Sequence, residues 1–194
     1  MSDRRAGDGT IEAAVLVPVK AFGRAKLRLA PALTPDKRRQ LARTMATRVV
    51  GSAAGLPVAV VCDDPEVADW AGSLGALVLW EAGRGLNLAV QAGVEQLAAR
   101  GFGMVIVAAG DLPLATDLRW VADFQGITLV PDRREDGTNV IGLPVDVDFS
   151  FAYGPGSFAR HLAQSRDLGV PHRVVRSAPL AWDVDLPEDL AVLS

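Results

Sequence analysis

The sequence contains little that would support disulfide, thiolate-metal or membrane chemistry. Cys62 is the only cysteine among 194 residues, so neither an intrachain disulfide nor a cluster of metal-bound thiolates can form. No apolar run reaches the roughly 18 residues that a membrane span needs. Residues 1–10 are polar and lack the apolar core of a signal peptide. We therefore expect a cytoplasmic protein without membrane contacts, in which residues 1–10 form a flexible tail.

Lysine and nucleotide-binding motifs are also scarce. Lysine occurs only at positions 20, 26 and 37, and the net charge of −3 argues against a nucleic-acid-binding protein. Neither GxGxxG nor GxxxxGK[ST] is present, which excludes the dinucleotide fingerprint and the P-loop. The two histidines, His161 and His172, have no carboxylate or cysteine at metal-ligand spacing, so neither is predicted to bind a metal or act as a catalytic base.

Short apolar runs alternate with segments of helical length along the whole chain. Strands are predicted at 13–20, 58–62, 76–80, 104–109, 127–130, 140–143 and 172–175, and a further strand-like run precedes Trp182. Helices are predicted at 35–54, 65–74, 86–99, 118–124, 157–165 and 187–193. Thr34 before Pro35 is a typical helix start, as is Asp64 before Pro65. The alternation predicts an α/β fold of three α/β/α layers with a mostly parallel sheet, in one domain of residues 1–194.

In such sheets, ligands bind beyond the carboxyl ends of the strands. The first strand is followed by a glycine and four cations: Lys20, Gly23, Arg24, Lys26 and Arg28. Asp111 follows the fourth strand, and Asp183 and Asp185 follow the strand-like run near the end of the chain. We expect these residues to meet at one edge of the sheet.

Cations combined with paired carboxylates are typical of a site for a metal–polyphosphate complex. Lysine and arginine spread positive charge over phosphate oxygens, a glycine such as Gly23 lets the backbone approach, and aspartates can hold Mg²⁺. A simpler interpretation exists for each residue type. The basic loop could be a solvated edge, and Asp111 and Asp185 could be helix caps. In the phosphate-binding interpretation, Arg24 is expected to be the one solvated cation of the loop. The residues alone leave both interpretations open.

Six segments of the sequence resemble one family in content and order. They are PVKAFGRAKLRLAP (18–31), GLNLAVQAG (85–93), GDLP (110–113), DGTNVIGL (136–143), YGPGSFARH (153–161) and DVDLPEDL (183–190). Together they resemble the guanylyltransferases of coenzyme F-420 biosynthesis, which use 2-phospho-L-lactate or phosphoenolpyruvate. The resemblance implies a Rossmann-like fold of the nucleotide-diphospho-sugar transferase type. It also implies a cytoplasmic enzyme that is usually a homodimer.

The resemblance also assigns roles to individual residues. Nucleotide binding falls to Lys20, Gly23, Lys26, Arg28 and Asn87, of which Lys20 and Lys26 are counted as catalytic together with Asp111. Mg²⁺ binding falls to Asp111, Asp183 and Asp185, and acceptor binding falls to Thr138, Gly154 and Ser157. We further expect free N–H groups in the first turn of the helix at Ser157 to form an anion site with the Ser157 hydroxyl. Gly156 departs from the polar residue expected there.

The implied reaction is transfer of GMP from GTP to the phosphate of phosphoenolpyruvate or 2-phospho-L-lactate, with release of pyrophosphate. Two alternatives stay open. One is a nucleotidyltransferase of the same fold with a molybdopterin or sugar-phosphate acceptor. The other is a non-catalytic module that binds a nucleotide as a regulator. The sequence does not decide between the phospho-acids.

Overall fold

The computed structural model describes residues 12–193, so the predicted tail lies outside the described residues. The strands are β1 (Ala13–Pro18), β2 (Val58–Cys62), β3 (Leu77–Trp80), β4 (Met104–Ala108), β5 (Ile127–Pro131), β6 (Thr138–Pro144) and β7 (His172–Val174). The α-helices are α1 (Pro35–Gly51), α2 (Pro65–Ser73), α3 (Gly85–Ala98), α4 (Ser157–Asp167) and α5 (Ala178–Ala181). Short 3-10 helices cover Phe22–Arg24, Leu27–Leu29, Arg119–Asp123 and Pro187–Leu193.

The strands form one sheet in the order β3-β2-β1-β4-β6-β5-β7. Neighbouring strands are parallel except where β6 pairs with β4 and with β5, so β6 alone of these seven strands runs in the opposite direction. The predicted mostly parallel sheet is thereby confirmed.

Both faces of the sheet are covered by helices because its central strands are apolar on both sides. Along β1, Val15 and Val17 point into a core shared with α1 and α2. Ala14 and Leu16 point into a second core, which is shared with α3 and α4. This arrangement is the three-layer α/β/α architecture expected from the sequence.

Most predicted boundaries are confirmed within one to three residues. Two predicted caps are also present: Lys37 N–H donates to Thr34 Oγ1 at 3.4 Å, and Val67 N–H donates to Asp64 Oδ1 at 3.2 Å. Helix α1 ends at Gly51, before the predicted residue 54, because Ala54 and Gly55 adopt positive φ angles of 52° and 88°.

The strand-like run predicted before Trp182 is wrong, because Ala178–Ala181 is the short helix α5. Its second residue is proline, which suits a helix start and cannot donate to a strand ladder. The predicted helices at 118–124 and 187–193 are 3-10 helices. Among the described residues, no helix combines the length and apolar character needed to cross a membrane.

The topology brings distant loops to one edge of the sheet. Strands β1 and β4 are neighbours although they are far apart in sequence, so the loops that follow them leave the sheet side by side. Because β6 runs in the opposite direction, its first residue, Thr138, pairs with Pro131 at the carboxyl end of β5. Thr138 therefore lies at the same edge, although it begins a strand.

Candidate active site

A cavity of about 630 Å³ opens at this edge of the sheet. It is bounded by the loops after β1 and β4, the start of β6, the loop before α4 and the segment after α5. All of the predicted site residues line it except Gly23 and Asn87. The position of the cavity was therefore predictable from the sequence, because ligands in such sheets bind beyond the carboxyl ends of the strands.

Lys26 is the central cation of the cavity. Its Nζ donates to Asp185 Oδ1 at 2.9 Å and also to Asp111 Oδ2, and its side chain is only 10% exposed. Burial by itself would lower the pKa of Lys26, but the two carboxylates outweigh burial and raise that pKa above its ordinary value. Lys26 is therefore a charged, buried group, and the interpretation of it as a solvated cation is wrong.

The same contacts decide the alternative roles of the two aspartates. The carboxylates of Asp111 and Asp185 accept hydrogen bonds from Lys26, and neither accepts one from the N–H groups of a following helix in residues 12–193. Helix capping therefore does not account for either residue.

The remaining cations of the first loop are exposed. Lys20, Arg24 and Arg28 all line the cavity, and Arg28 is 72% exposed with its Nη1 at 3.7 Å from Asp185 Oδ2. Arg24 is exposed, as Lys20 and Arg28 are, so exposure does not set it apart from them. The loop thus presents one buried and three accessible positive charges to the cavity.

Asp183 has one buried carboxylate oxygen that no described residue satisfies. Its Oδ1 is buried and accepts no hydrogen bond from any residue that the structure describes. Burial, followed by the nearby charge of Asp111, raises the pKa of Asp183 to about 6. The fold therefore holds an ionised Asp183 at a cost, and a bound cation would remove that cost.

The three predicted metal ligands have the right donor chemistry for Mg²⁺, which binds carboxylate oxygens. The orphaned Oδ1 of Asp183 fits a cation that is supplied with the substrate. Within residues 12–193, no group of three or more His, Cys, Asp or Glu side chains is placed to hold a metal ion by itself. Lys26 already contacts both Asp111 and Asp185, so its ammonium group balances part of the negative charge of these two carboxylates.

Asp189, which the sequence did not single out, fixes the backbone that carries these carboxylates. It is fully buried, and its Oδ2 accepts the N–H groups of Asp185 at 2.8 Å and Leu186 at 2.7 Å. Its Oδ1 accepts from the guanidinium groups of Arg133 and Arg134. Burial would raise the pKa of Asp189, but these donors outweigh burial and hold it below its ordinary value.

Opposite the cations, Thr138 and Ser157 are in direct contact. The N–H of Thr138 donates to Ser157 Oγ at 3.1 Å, and both side chains are buried against the cavity wall. Asp132 shapes the preceding loop, because its Oδ2 accepts the N–H of Gly137 at 2.8 Å. A Cβ atom at Gly137 would lie 2.8 Å from that oxygen, so glycine is required here.

The expected anion site made of free N–H groups at the start of α4 is wrong. Asp136 accepts the N–H of Gly156 through its Oδ1 and the N–H of Phe158 through its C=O, both at 3.0 Å. The N–H of Ser157 donates to the C=O of Gly154 at 3.0 Å. These three donors are used within the protein, so the hydroxyls of Thr138 and Ser157 are the side-chain donors offered to a ligand here. Gly156 itself has a φ of 70°, which explains glycine at this position.

Two residues predicted to bind the nucleotide lie outside the cavity lining. Asn87 Oδ1 accepts the N–H of Tyr153 at 2.8 Å, so it fixes the loop before α4. Gly23 lies in an exposed 3-10 turn, where a Cβ atom would meet nothing within 4 Å. Their roles in nucleotide binding stay predictions.

The sheet order, the helical layers and the position of the cavity define a class of fold. A Desulfovibrio desulfuricans protein described as a nucleotide-diphospho-sugar transferase has a similar structure, with a TM-score of 0.77 at 17% identity. The match covers 94% of this chain and 86% of that chain. The protein therefore has the nucleotide-diphospho-sugar transferase fold that the family resemblance implied.

The family follows from sequence comparison. The family model described as "Guanylyl transferase CofC like" matches residues 13–193, so the chain belongs to that family. It is 37% identical over 188 residues to phosphoenolpyruvate guanylyltransferase of Sphaerobacter thermophilus, covering 92% of this chain and 91% of that protein. It is 33% identical over 183 residues to 2-phospho-L-lactate guanylyltransferase of Methanothermobacter thermautotrophicus, covering 90% and 81%. The resemblance drawn from six short segments is confirmed.

Because the carboxylate of Asp183 has an unsatisfied buried oxygen, we expect its removal to raise the free energy of unfolding. Because its folded-state pKa is raised from 3.8 to about 6, this group favours folding below pH 3.8, and the benefit is lost as the pH rises through 6. Asp183→Asn should therefore stabilise the ligand-free protein at pH 8 by on the order of 1 kcal/mol, a value discounted for partial solvent screening. The gain should shrink towards pH 5.

Chemical denaturation between pH 5 and 8, with a chelator and without nucleotide, measures this difference. Asp148→Asn is a matched control, because Asp148 is an exposed carboxylate outside the cavity lining. An Asp183→Asn variant that is less stable than the parent at pH 8 would show that Asp183 is satisfied in the ligand-free protein.

Proposed function

We propose that the protein transfers GMP from GTP to the phosphate of phosphoenolpyruvate or 2-phospho-L-lactate, as a step of coenzyme F-420 biosynthesis. One observation carries this proposal. Among the described residues, every cation lining the cavity comes from residues 20–28, whereas the lining around Thr138 and Ser157 offers two hydroxyls. The carboxylates of Asp132 and Asp136, which also line this part of the cavity, accept backbone N–H groups. A polyanion suits the cations of residues 20–28, and a small second anion suits the hydroxyls of Thr138 and Ser157. The family and the names of the two relatives support the same reaction.

The reaction requires no protein nucleophile, because the acceptor phosphate is already ionised. One of its oxygens forms a bond to the α-phosphorus of GTP, the bond from that phosphorus to the β-bridging oxygen breaks, and pyrophosphate leaves with the electron pair. Lys20 and Arg28 would balance the charge of the phosphates, and Thr138 and Ser157 would hold the acceptor. Catalysis then consists of positioning and electrostatic stabilisation.

Asp111 and Asp183, assisted by Asp185, would hold Mg²⁺. Bound there, the metal would neutralise charge that develops on the phosphate oxygens during transfer. Lys26 would release the two carboxylates and turn its ammonium group to the nucleotide phosphates. Lys26 would thus neutralise carboxylates before substrate binding and phosphates after it.

Product analysis tests the proposed reaction directly. The purified protein is incubated with GTP, Mg²⁺ and either phosphoenolpyruvate, 2-phospho-L-lactate or 3-phosphoglycerate, and pyrophosphate release is followed with mass spectrometry of the products. We expect a guanylylated phospho-acid with at least one acceptor. CTP and ATP replace GTP in parallel reactions to test the choice of base.

Two outcomes would replace the proposal. Turnover with sugar 1-phosphates or molybdopterin, and none with the phospho-acids, would identify another nucleotidyltransferase of this fold. GTP binding without pyrophosphate release under any condition would identify a non-catalytic module. The homodimer implied by the family stays a prediction, which sedimentation of the same sample would test.

Replacing Asp111 with asparagine should strongly reduce turnover. The change removes a charge from the proposed metal site while keeping the shape of the side chain. We expect pyrophosphate release at saturating GTP to fall by about 10²-fold or more, the size of a single electrostatic contribution in many active sites. Asp148→Asn serves as the control, and wild-type turnover of Asp111→Asn at equal Mg²⁺ would contradict the metal assignment.

Lys26→Ala should change how the protein responds to Mg²⁺. Without the ammonium group, Asp111 and Asp185 lose their common partner, so the variant in chelator should be less stable by about 1–3 kcal/mol. Added Mg²⁺ should raise its Tm more than that of the parent, because no ammonium competes for the carboxylate oxygens.

Thermal denaturation with chelator and with Mg²⁺ provides the comparison. Lys20→Ala is the matched control, since Lys20 is exposed and forms no salt bridge with any carboxylate in residues 12–193. An equal Mg²⁺-dependent rise in Tm for the parent and for Lys26→Ala would show that Lys26 does not compete with the metal.

A further inference from the structure

His161 is a buried histidine to which the mechanism above assigns no task. It lies on α4, one turn after Ser157, and its side chain has no exposed surface. Its ring contacts Phe149 and Tyr153, with centroid distances of 5.6 and 5.2 Å. Burial, and then the charge of Arg160, lowers the pKa of His161 to about 4. The ring is therefore neutral near pH 7 and carries a single N–H.

The position of that N–H follows from the groups around the ring. Nε2 lies 2.9 Å from the backbone nitrogen of Ala152, and a backbone N–H can only donate. Nε2 must therefore be the unprotonated acceptor, which places the proton on Nδ1. Nδ1 lies 2.9 Å from Thr138 Oγ1, so the imidazole donates to the threonine hydroxyl oxygen.

This donation decides what the Thr138 hydroxyl can do. Its oxygen accepts from His161, so its own proton must point to another acceptor. The structure shows no protein acceptor for it within residues 12–193, and Thr138 lines the cavity. The proton is therefore available to an anion bound in the cavity.

The hydroxyl oxygen of Ser157 also accepts a hydrogen bond from the protein, in this case from a backbone N–H. Its Oγ accepts the N–H of Thr138, so the serine proton is also left for another acceptor. Because the N–H groups of Gly156, Ser157 and Phe158 at the start of α4 are used within the protein, the two hydroxyls are the side-chain donors that this part of the lining presents.

We infer that His161 is a positioning residue, which sets the Thr138 hydroxyl as a hydrogen-bond donor to the phospho-acid acceptor. This inference rests on the proposed function, because it assumes that the acceptor binds at Thr138 and Ser157. His161 acts through Thr138 and does not touch the reacting atoms. Its removal should therefore weaken acceptor binding and leave the binding of GTP unchanged.

The tautomer of His161 is the first measurement, and it needs no substrate. Long-range ¹H–¹⁵N NMR of protein labelled at histidine distinguishes the two neutral tautomers, and the chain has only two histidines. A His172→Gln variant assigns the signals, since His172 is exposed. We expect the Nδ1–H tautomer for His161 at pH 7. The Nε2–H tautomer would overturn the inference.

A double-mutant cycle is the second measurement. Thr138→Val removes the hydroxyl, and His161→Phe removes the donor while it keeps a ring in the core. Each should raise the acceptor KM by roughly 10-fold to 100-fold, the effect of one hydrogen bond to a charged group, without changing the KM for GTP. Adding His161→Phe to Thr138→Val should have no further effect on the acceptor KM. Effects that multiply would show that His161 acts independently of Thr138, and would overturn the inference.

The two measurements separate the failure of this inference from failure of the proposed function. If wild-type protein releases no pyrophosphate with any phospho-acid, the proposed function fails, whatever the NMR result. If wild-type protein turns over but the tautomer is Nε2–H, the reaction stands and the role of His161 is wrong. His172→Gln is the kinetic control, and it should keep both KM values.

Discussion

The contact of Lys26 with Asp111 and Asp185 is the interaction on which the rest of the site depends. Its partners lie 85 and 159 residues away in sequence, so one ammonium group ties the loops after β1 and β4 to the segment after α5. Without this charge, little would offset the mutual repulsion of the carboxylates of Asp111, Asp183 and Asp185 at the cavity wall. The left-handed backbone at Lys26, with a φ of 57°, is a local cost that the two bonds offset.

The sheet makes this contact possible and also brings in the opposite wall. Since β1 and β4 are adjacent, Lys26 in the loop after β1 lies close enough to contact Asp111 in the loop after β4. The reversal of β6 places Thr138 at the same edge, where Ser157 of α4 meets it. Buried carboxylates then fix each loop through backbone N–H groups, as Asp132 and Asp189 do. The site is thus held by hydrogen bonds that main-chain N–H groups donate to carboxylates, which are among the stronger ones in proteins.

The sequence predicted the fold well because its central strands are buried on both faces. A continuous apolar run such as Val15–Val19 has no other simple interpretation, and the strand-end rule then located Lys26 and Asp111. The pairing of these charges was not predictable, since it depends on loops that meet across long sequence distances. The occupied N–H groups at α4 were missed for the same reason, because Asp136 reaches them from another loop. Asp189 was overlooked because an aspartate near a helix start usually lies in solvent.

The cations of residues 20–28 and the hydroxyls of Thr138 and Ser157 lie on different parts of the cavity lining. This separation has a chemical consequence for group transfer. The attacking oxygen must keep its electron density, whereas the phosphates of the leaving group must lose theirs. Cations beside the acceptor would stabilise its charge before reaction and so reduce its nucleophilicity, a ground-state effect that contributes nothing to rate. In the proposed reaction, the hydroxyls of Thr138 and Ser157 would hold the acceptor at a smaller cost of this kind, because every cation lining the cavity among the described residues comes from residues 20–28. His161 fits this division, because a neutral imidazole orients a hydroxyl without adding charge to the acceptor wall.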